Sequence, residues 1–183
     1  EDMAVAAGHV NVASAYMFLF DPTLSRSFRR LIPDSKDPQM QLELTTTNLQ
    51  TQMLAELEGQ LRDELNQPPP RKLHVPLAIV LNKSDAWLHL LGPEPLLPVV
   101  HQGRLQKACI RSNSDRLRRL LFSIAPQVCS NAEAFSDNVC YFAVSSLGKP
   151  PVVFQDYESG GSYIGPESGA VSPSHITDPL LWV

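Results

Sequence analysis

The residues best placed for chemistry are the tetrad Asn82-Lys83-Ser84-Asp85 and the turn Ser145-Ser146-Leu147-Gly148. A carboxylate such as Asp85 accepts two parallel N–H bonds, and so reads the edge of a flat heterocycle that carries two adjacent donors. A ligand lacking those donors leaves the carboxylate half-satisfied, at a cost of about 1–3 kcal/mol. No Ser/His/Asp or Cys/His arrangement stands out, so no catalytic residue is assigned. His9, His74, His89, His101 and His175 show no ligand spacing, and no metal site is assigned.

Both polar groups follow short apolar runs. Val75 to Leu81 precedes the tetrad and Val139 to Val144 precedes the serine turn; Ala15 to Phe20 is a third such run, stopped by Asp21-Pro22. Continuous apolar runs of about six residues fit strands buried on both faces, as in parallel sheets. Asp21-Pro22 reads as a strand-ending turn rather than a catalytic carboxylate.

Between the first two strands, Leu49, Met53, Leu57 and Leu61, with Leu54 and Leu65 alongside, predict a helix over 47–66. Thr45, Thr46 or Thr47 would cap it, and Pro68-Pro69-Pro70 would end it. Trp87 to Leu91 predicts a helical turn. Leu117, Leu120, Leu121 and Ile124 predict a helix from Ser112, capped by Ser112 or Ser114 and kinked or ended at Pro126, with further turns over 128–135. Residues 149–174, with their Gly, Ser and Pro, read as a flexible loop. Asp178-Pro179-Leu180-Leu181-Trp182 opens a last helix with Thr177 or Asp178 as cap, and residues 1–14 have weak helical character. The alternation of strand and helix gives an α/β class: one domain over 1–183 in three layers, with crossover helices on a parallel sheet.

The formal net charge of −4 favours neither nucleic acid nor anionic lipid as partner. Arg111, Arg116, Arg118 and Arg119 read as the solvated face of a helix, with phosphate binding as the alternative. Three widely spaced cysteines, Cys109, Cys129 and Cys140, fit free thiols in a reducing compartment. The apolar runs are too short to span a membrane, Glu1-Asp2-Met3 opens no signal peptide, and the expected location is cytoplasmic.

Strand–Asn-Lys-x-Asp followed some sixty residues later by strand–Ser-Ser-Leu-Gly resembles the two guanine-binding loops of P-loop GTPases of the Ras-like and translation-factor-like kind. With Phe18-Leu19-Phe20-Asp21-Pro22 and Asp178 to Trp182, the chain looks most like bacterial double-GTPase-type domains. The resemblance implies that Asp85 takes bonds from the guanine N1 and N2 hydrogens, that Asn82 braces the loops, and that the stem of Lys83 lies over the purine. It also implies that Ser145, Ser146 and Leu147 form the second loop, with the N–H of Ser146 or Leu147 donating to O6. Leu147 departs from the family pattern, which has Lys there.

No G-x-x-x-x-G-K-[ST] and no Asp-x-x-Gly occurs, so the resemblance covers the carboxyl-terminal half of a G domain. Magnesium would bind only with the P-loop half supplied. Two functions follow: a guanine-nucleotide-binding fragment taking GTP or GDP but inactive in hydrolysis by itself, or a pseudo-GTPase acting as a protein-interaction module. The resemblance also implies that the edge of the strand 15–20 is covered, by another protein, a second copy or the amino-terminal segment.

Overall fold

A computed structural model describes residues 13–41, 49–64, 72–156 and 160–183. Its centre is a parallel three-stranded sheet in the order β1 (Tyr16–Phe20), β2 (Leu77–Leu81), β5 (Val139–Ala143). The strands are in register, with Phe20 opposite Leu81 and Leu81 opposite Ala143, so all three end at one level. Parallel neighbours need crossovers. The one-turn helix α1 (Arg26–Arg29) and α2 (Leu49–Glu64) lie in the first connection; the short α3 (Ser84–Trp87), α4 (Lys107–Ile124) and α5 (Pro126–Phe135) lie in the second.

The central strand β2 is buried at every position because both of its faces are covered. Leu77, Ile79 and Leu81 pack with Leu54 and Leu61 of α2, Leu117 and Leu121 of α4, and Val128 and Phe135 of α5. Ala78 and Val80 look the other way, toward Val99, Ile110, Cys140, Phe142 and Trp182. The layers are thus unequal. Among the described residues the second face is covered near β5 only, and Met17 and Leu19 of β1 are 50% and 60% exposed. β1 is the end strand of the described sheet. Residues 1–14 were expected to be weakly helical; of these, 1–12 lie outside the described residues, as do Thr45 to Thr47, Leu65 and Pro68 to Pro70.

The opposite edge of the sheet is closed by a side chain. Ser114, buried on α4, accepts a 2.9 Å hydrogen bond from the Tyr141 N–H of β5. Ser114 therefore ties helix to strand instead of capping the helix, which begins at Lys107 rather than Ser112. Gln106, at the cap position, makes no capping bond, so no residue type marks the start. In α2 the buried stripe is Leu54, Leu57 and Leu61, at steps of three and four, and Met53 falls outside it. Pro126 occupies the first turn of α5, where its missing N–H costs nothing. The last helix, α6 (Asp178–Trp182), has no side-chain cap at Thr177; Asp178 instead pairs with His175 at 2.8 Å.

Among the described residues, four short strands stand apart from the sheet. β3 (Val100–His101) and β4 (Arg104–Leu105) form a small hairpin before α4. Within the stretch read as a loop, β6 (Val152–Gln155) and β7 (Ser162–Gly165) pair antiparallel, with Phe154 and Tyr163 stacked at 5.2 Å. Four-residue strands without a buried face carry no alternating pattern, so neither is visible in the sequence.

Candidate functional site

The register of the sheet brings the ends of β1, β2 and β5 together, the usual place for a ligand in an open α/β sheet. The backbone after β2 is stitched to both neighbours: Asn82 N–H donates to Phe20 C=O at 2.9 Å and Ser84 N–H to Val144 C=O at 3.0 Å. Lys83 adopts the left-handed conformation, φ 54°, and the short helix α3 (Ser84–Trp87) begins immediately. Trp87 locks this corner. Its fully buried indole donates to the Asn82 carbonyl at 2.8 Å and meets Phe28 edge-on at 6.2 Å.

Asp85 and Ser145 join the two loops. The Ser145 hydroxyl donates to Asp85 Oδ1 in a short hydrogen bond and accepts from Gly148 N–H at 2.7 Å. Each carboxylate oxygen has more than one acceptor position, so Asp85 retains capacity for further donors. The bracing expected of Asn82 is therefore carried by Asp85 and the Ser84 backbone; the Asn82 side chain has no hydrogen-bond partner among the described residues. Neither Ser84 nor Asp85 caps α3. Lys83 occupies the cap position without a capping bond, and the buried Ser84 Oγ has no partner among the described residues.

Lys83 reaches back across the sheet. Its Nζ donates to Gln39 Oε1 at 2.7 Å and pairs with Asp21 at 3.1 Å. Asp21 is a turn residue: it accepts from Thr23 N–H at 2.9 Å, and its backbone exchanges two bonds with the Gln50 amide of α2. Lys83 is thereby tied to the turn after β1 and to Gln39.

The second loop is held from behind. Ser145 and Ser174 exchange two backbone bonds, and Ser172 N–H donates to Leu147 C=O at 2.8 Å. The chain comes so close here that only glycine fits at 148. Its φ is +73°, and a Cβ would lie 1.8 Å from Ser172 O. The N–H groups of Ser146 and Leu147 have no partner among the described residues.

A cavity of about 230 Å³ lies between the loops. Asn82, Lys83 and Asp85 line one side, and Ser145, Ser146 and Leu147 another. The third wall is the foot of the β6–β7 hairpin: Pro151, Ile164, Gly165 and Pro166. The six residues that the resemblance implies for the two guanine-binding loops thus line one pocket, whereas Ser84 and Gly148 do not. Asp37 and Gln39, also in the wall, carry no signal in the sequence.

The arginine cluster does not form one site. Arg116 donates to the carbonyls of Pro95 and Glu94 at 2.9 and 2.6 Å, holding the proline-rich loop. Arg118 makes a two-pronged pair with Glu133, which also accepts from Tyr141 OH at 3.0 Å. The Arg118 guanidinium, assisted by Tyr141, holds the Glu133 carboxyl below the usual carboxylate range against the opposing effect of burial. Burial pushes the Tyr141 phenol and the thiols of Cys129 and Cys140 up. The three cysteines are free. Among the described residues no group of His, Cys, Asp or Glu is placed to hold a metal ion, and no helix is long and apolar enough to cross a membrane.

No protein-family model, curated protein or solved structure matches this chain.

Proposed function

We propose that the pocket between the β2 and β5 loops reads a guanine base. The observation that carries this reading is the pairing of a fixed carboxylate with two unpartnered backbone N–H groups. Asp85 accepts from the N1 and N2 hydrogens while Ser146 or Leu147 donates to O6. Adenine has neither the N1 hydrogen nor the N2 amino group, so the site discriminates by leaving polar groups unpaired with the wrong base. The strand order and the positions of both loops support the resemblance to the second half of a Ras-like G domain. Hydrolysis is not expected of this chain, whose sequence contains neither the P-loop lysine nor the magnesium-binding Ser/Thr that phosphoryl transfer relies on.

Calorimetry with GDP and ATP tests the reading. GDP should bind more tightly, and Asp85→Asn should weaken GDP by about 10- to 100-fold with little effect on ATP. Equal affinities untouched by the substitution would overturn it. That result would favour a protein-interaction module, which the exposed apolar residues Val153, Tyr163 and Val171 around the hairpin support as a second reading.

A further inference from the structure

The base pocket continues into a second cavity of about 360 Å³, sharing Leu147, Lys149, Pro151 and Pro166 with it. Two lysines, Lys36 and Lys149, line this extension. Both are exposed and neither has an ion pair or hydrogen bond among the described residues. Lys83, the other lysine at the pocket, already has Asp21 and Gln39 as partners. One carboxylate, Glu167, lines the same extension, leaving an excess of positive charge there. An apolar-walled cavity with carboxylate and amide groups at one end and unpaired ammonium groups at the other suits a planar ring bearing an anionic tail.

The geometry points to a phosphate subsite formed by Lys36 and Lys149, so that this chain binds a guanine nucleotide by its base and its 5′-phosphate without a P-loop. This inference rests on the base-reading role proposed above. Lysine binds phosphate as a point charge, and on exposed stems its contribution is sensitive to salt. The hairpin matters to the subsite because Pro151 and Pro166 form the wall common to both cavities. Lys149 is two residues from Pro151, at the hairpin's entry, while Lys36 approaches from the loop after β1.

The test is binding of guanosine, guanosine 5′-monophosphate and inorganic phosphate to the full chain, with Lys36→Ala, Lys149→Ala and the double variant. The monophosphate should bind about tenfold more tightly than guanosine in low salt. Replacing Lys36, which lines the extension but not the base pocket, should narrow that gap and leave guanosine affinity unchanged. The double variant should abolish the gap, weakening the monophosphate far more than guanosine, and Lys→Arg replacements should keep it. Thermal melting checks that the variants fold. If guanosine and the monophosphate bind equally, or if the gap survives the double substitution, the subsite is refuted and base reading stands. If neither ligand binds, both proposals fall. Inorganic phosphate binding equally to the wild type and the double variant would place any phosphate site elsewhere and also refute the subsite.

Discussion

Replacing Gly148 by alanine tests the packing that holds the second loop of the pocket. Two costs combine. A non-glycine residue at φ +73° loses about 1–2 kcal/mol to backbone strain. The new Cβ would also lie 1.8 Å from Ser172 O and 2.7 Å from Ser172 C, both main-chain atoms that cannot rotate away. Ordinary contact begins near 3.4 Å, so the 172–174 segment must retreat, loosening the bonds that join Ser145 to Ser174 and Leu147 to Ser172. Overpacking of this kind costs about 1–3 kcal/mol, giving a total of about 2–5 kcal/mol.

Gly103→Ala is the control. Gly103 has φ +72° but open space where its Cβ would go, so it should show the strain alone. Urea denaturation of both variants measures the difference, and amide exchange at Ser145, Ser172 and Ser174 locates it. Because Gly148 N–H also donates to the hydroxyl that fixes Asp85, the Gly148 variant should bind guanosine more weakly without touching the ligand. Equal destabilisation of the two variants, with unchanged exchange at those serines, would refute the close-approach argument.

Two further substitutions test the scaffold. Ser114→Ala leaves the Tyr141 N–H of the β5 edge without its acceptor and should cost about 1–3 kcal/mol in denaturant unfolding; a loss below about 0.5 kcal/mol would show that another group takes over. Glu133→Gln should cost about 1 kcal/mol at pH 7, because the Arg118 pair is partly exposed and screened. The folded-state pKa of Glu133 is lowered, so its contribution is fully present well above the unfolded value of about 4.3 and is lost as pH falls through the folded value. The stability gap between wild type and variant should therefore close in acid, and a gap that widens below pH 4 would contradict the assignment.

The three sheet strands were legible because each is a short apolar run, stopped or followed by polar residues. In β2 and β5 the run reflects burial on both faces, whereas β1, also expected to be buried on both faces, exposes Met17 and Leu19 among the described residues. The helix boundaries were less so. Ser114 has the residue type of a cap, yet its hydroxyl serves a strand 27 residues away, a contact that no local pattern records. Met53 continues a regular four-residue step, but a helix turns 3.6 residues per turn, so the stripe drifts toward Leu54 and leaves Met53 in solvent. The β6–β7 hairpin was invisible because it buries no face of its own; its strands are held by each other and by one aromatic stack.

The same physics explains which half of the pocket could be anticipated. Leu81 and Ala143 are paired in register, so residues just beyond each strand end must be neighbours. Asp85 and Ser145 meet across 60 residues of sequence for that reason, and a strand-plus-tetrad pattern suffices to place them. No register links Lys36 or the hairpin foot to those loops. Their approach depends on Gly148 allowing the chain to pass within contact of Ser172, and on Arg29 donating to the Met40 carbonyl at 2.6 Å to fold back the segment that follows β1. Base-reading groups fixed by sheet register and phosphate-facing groups fixed by loop packing should then respond differently to perturbation. Loosening the loops, as in Gly148→Ala, should erode the advantage of the monophosphate over guanosine further than it erodes the preference for guanine over adenine.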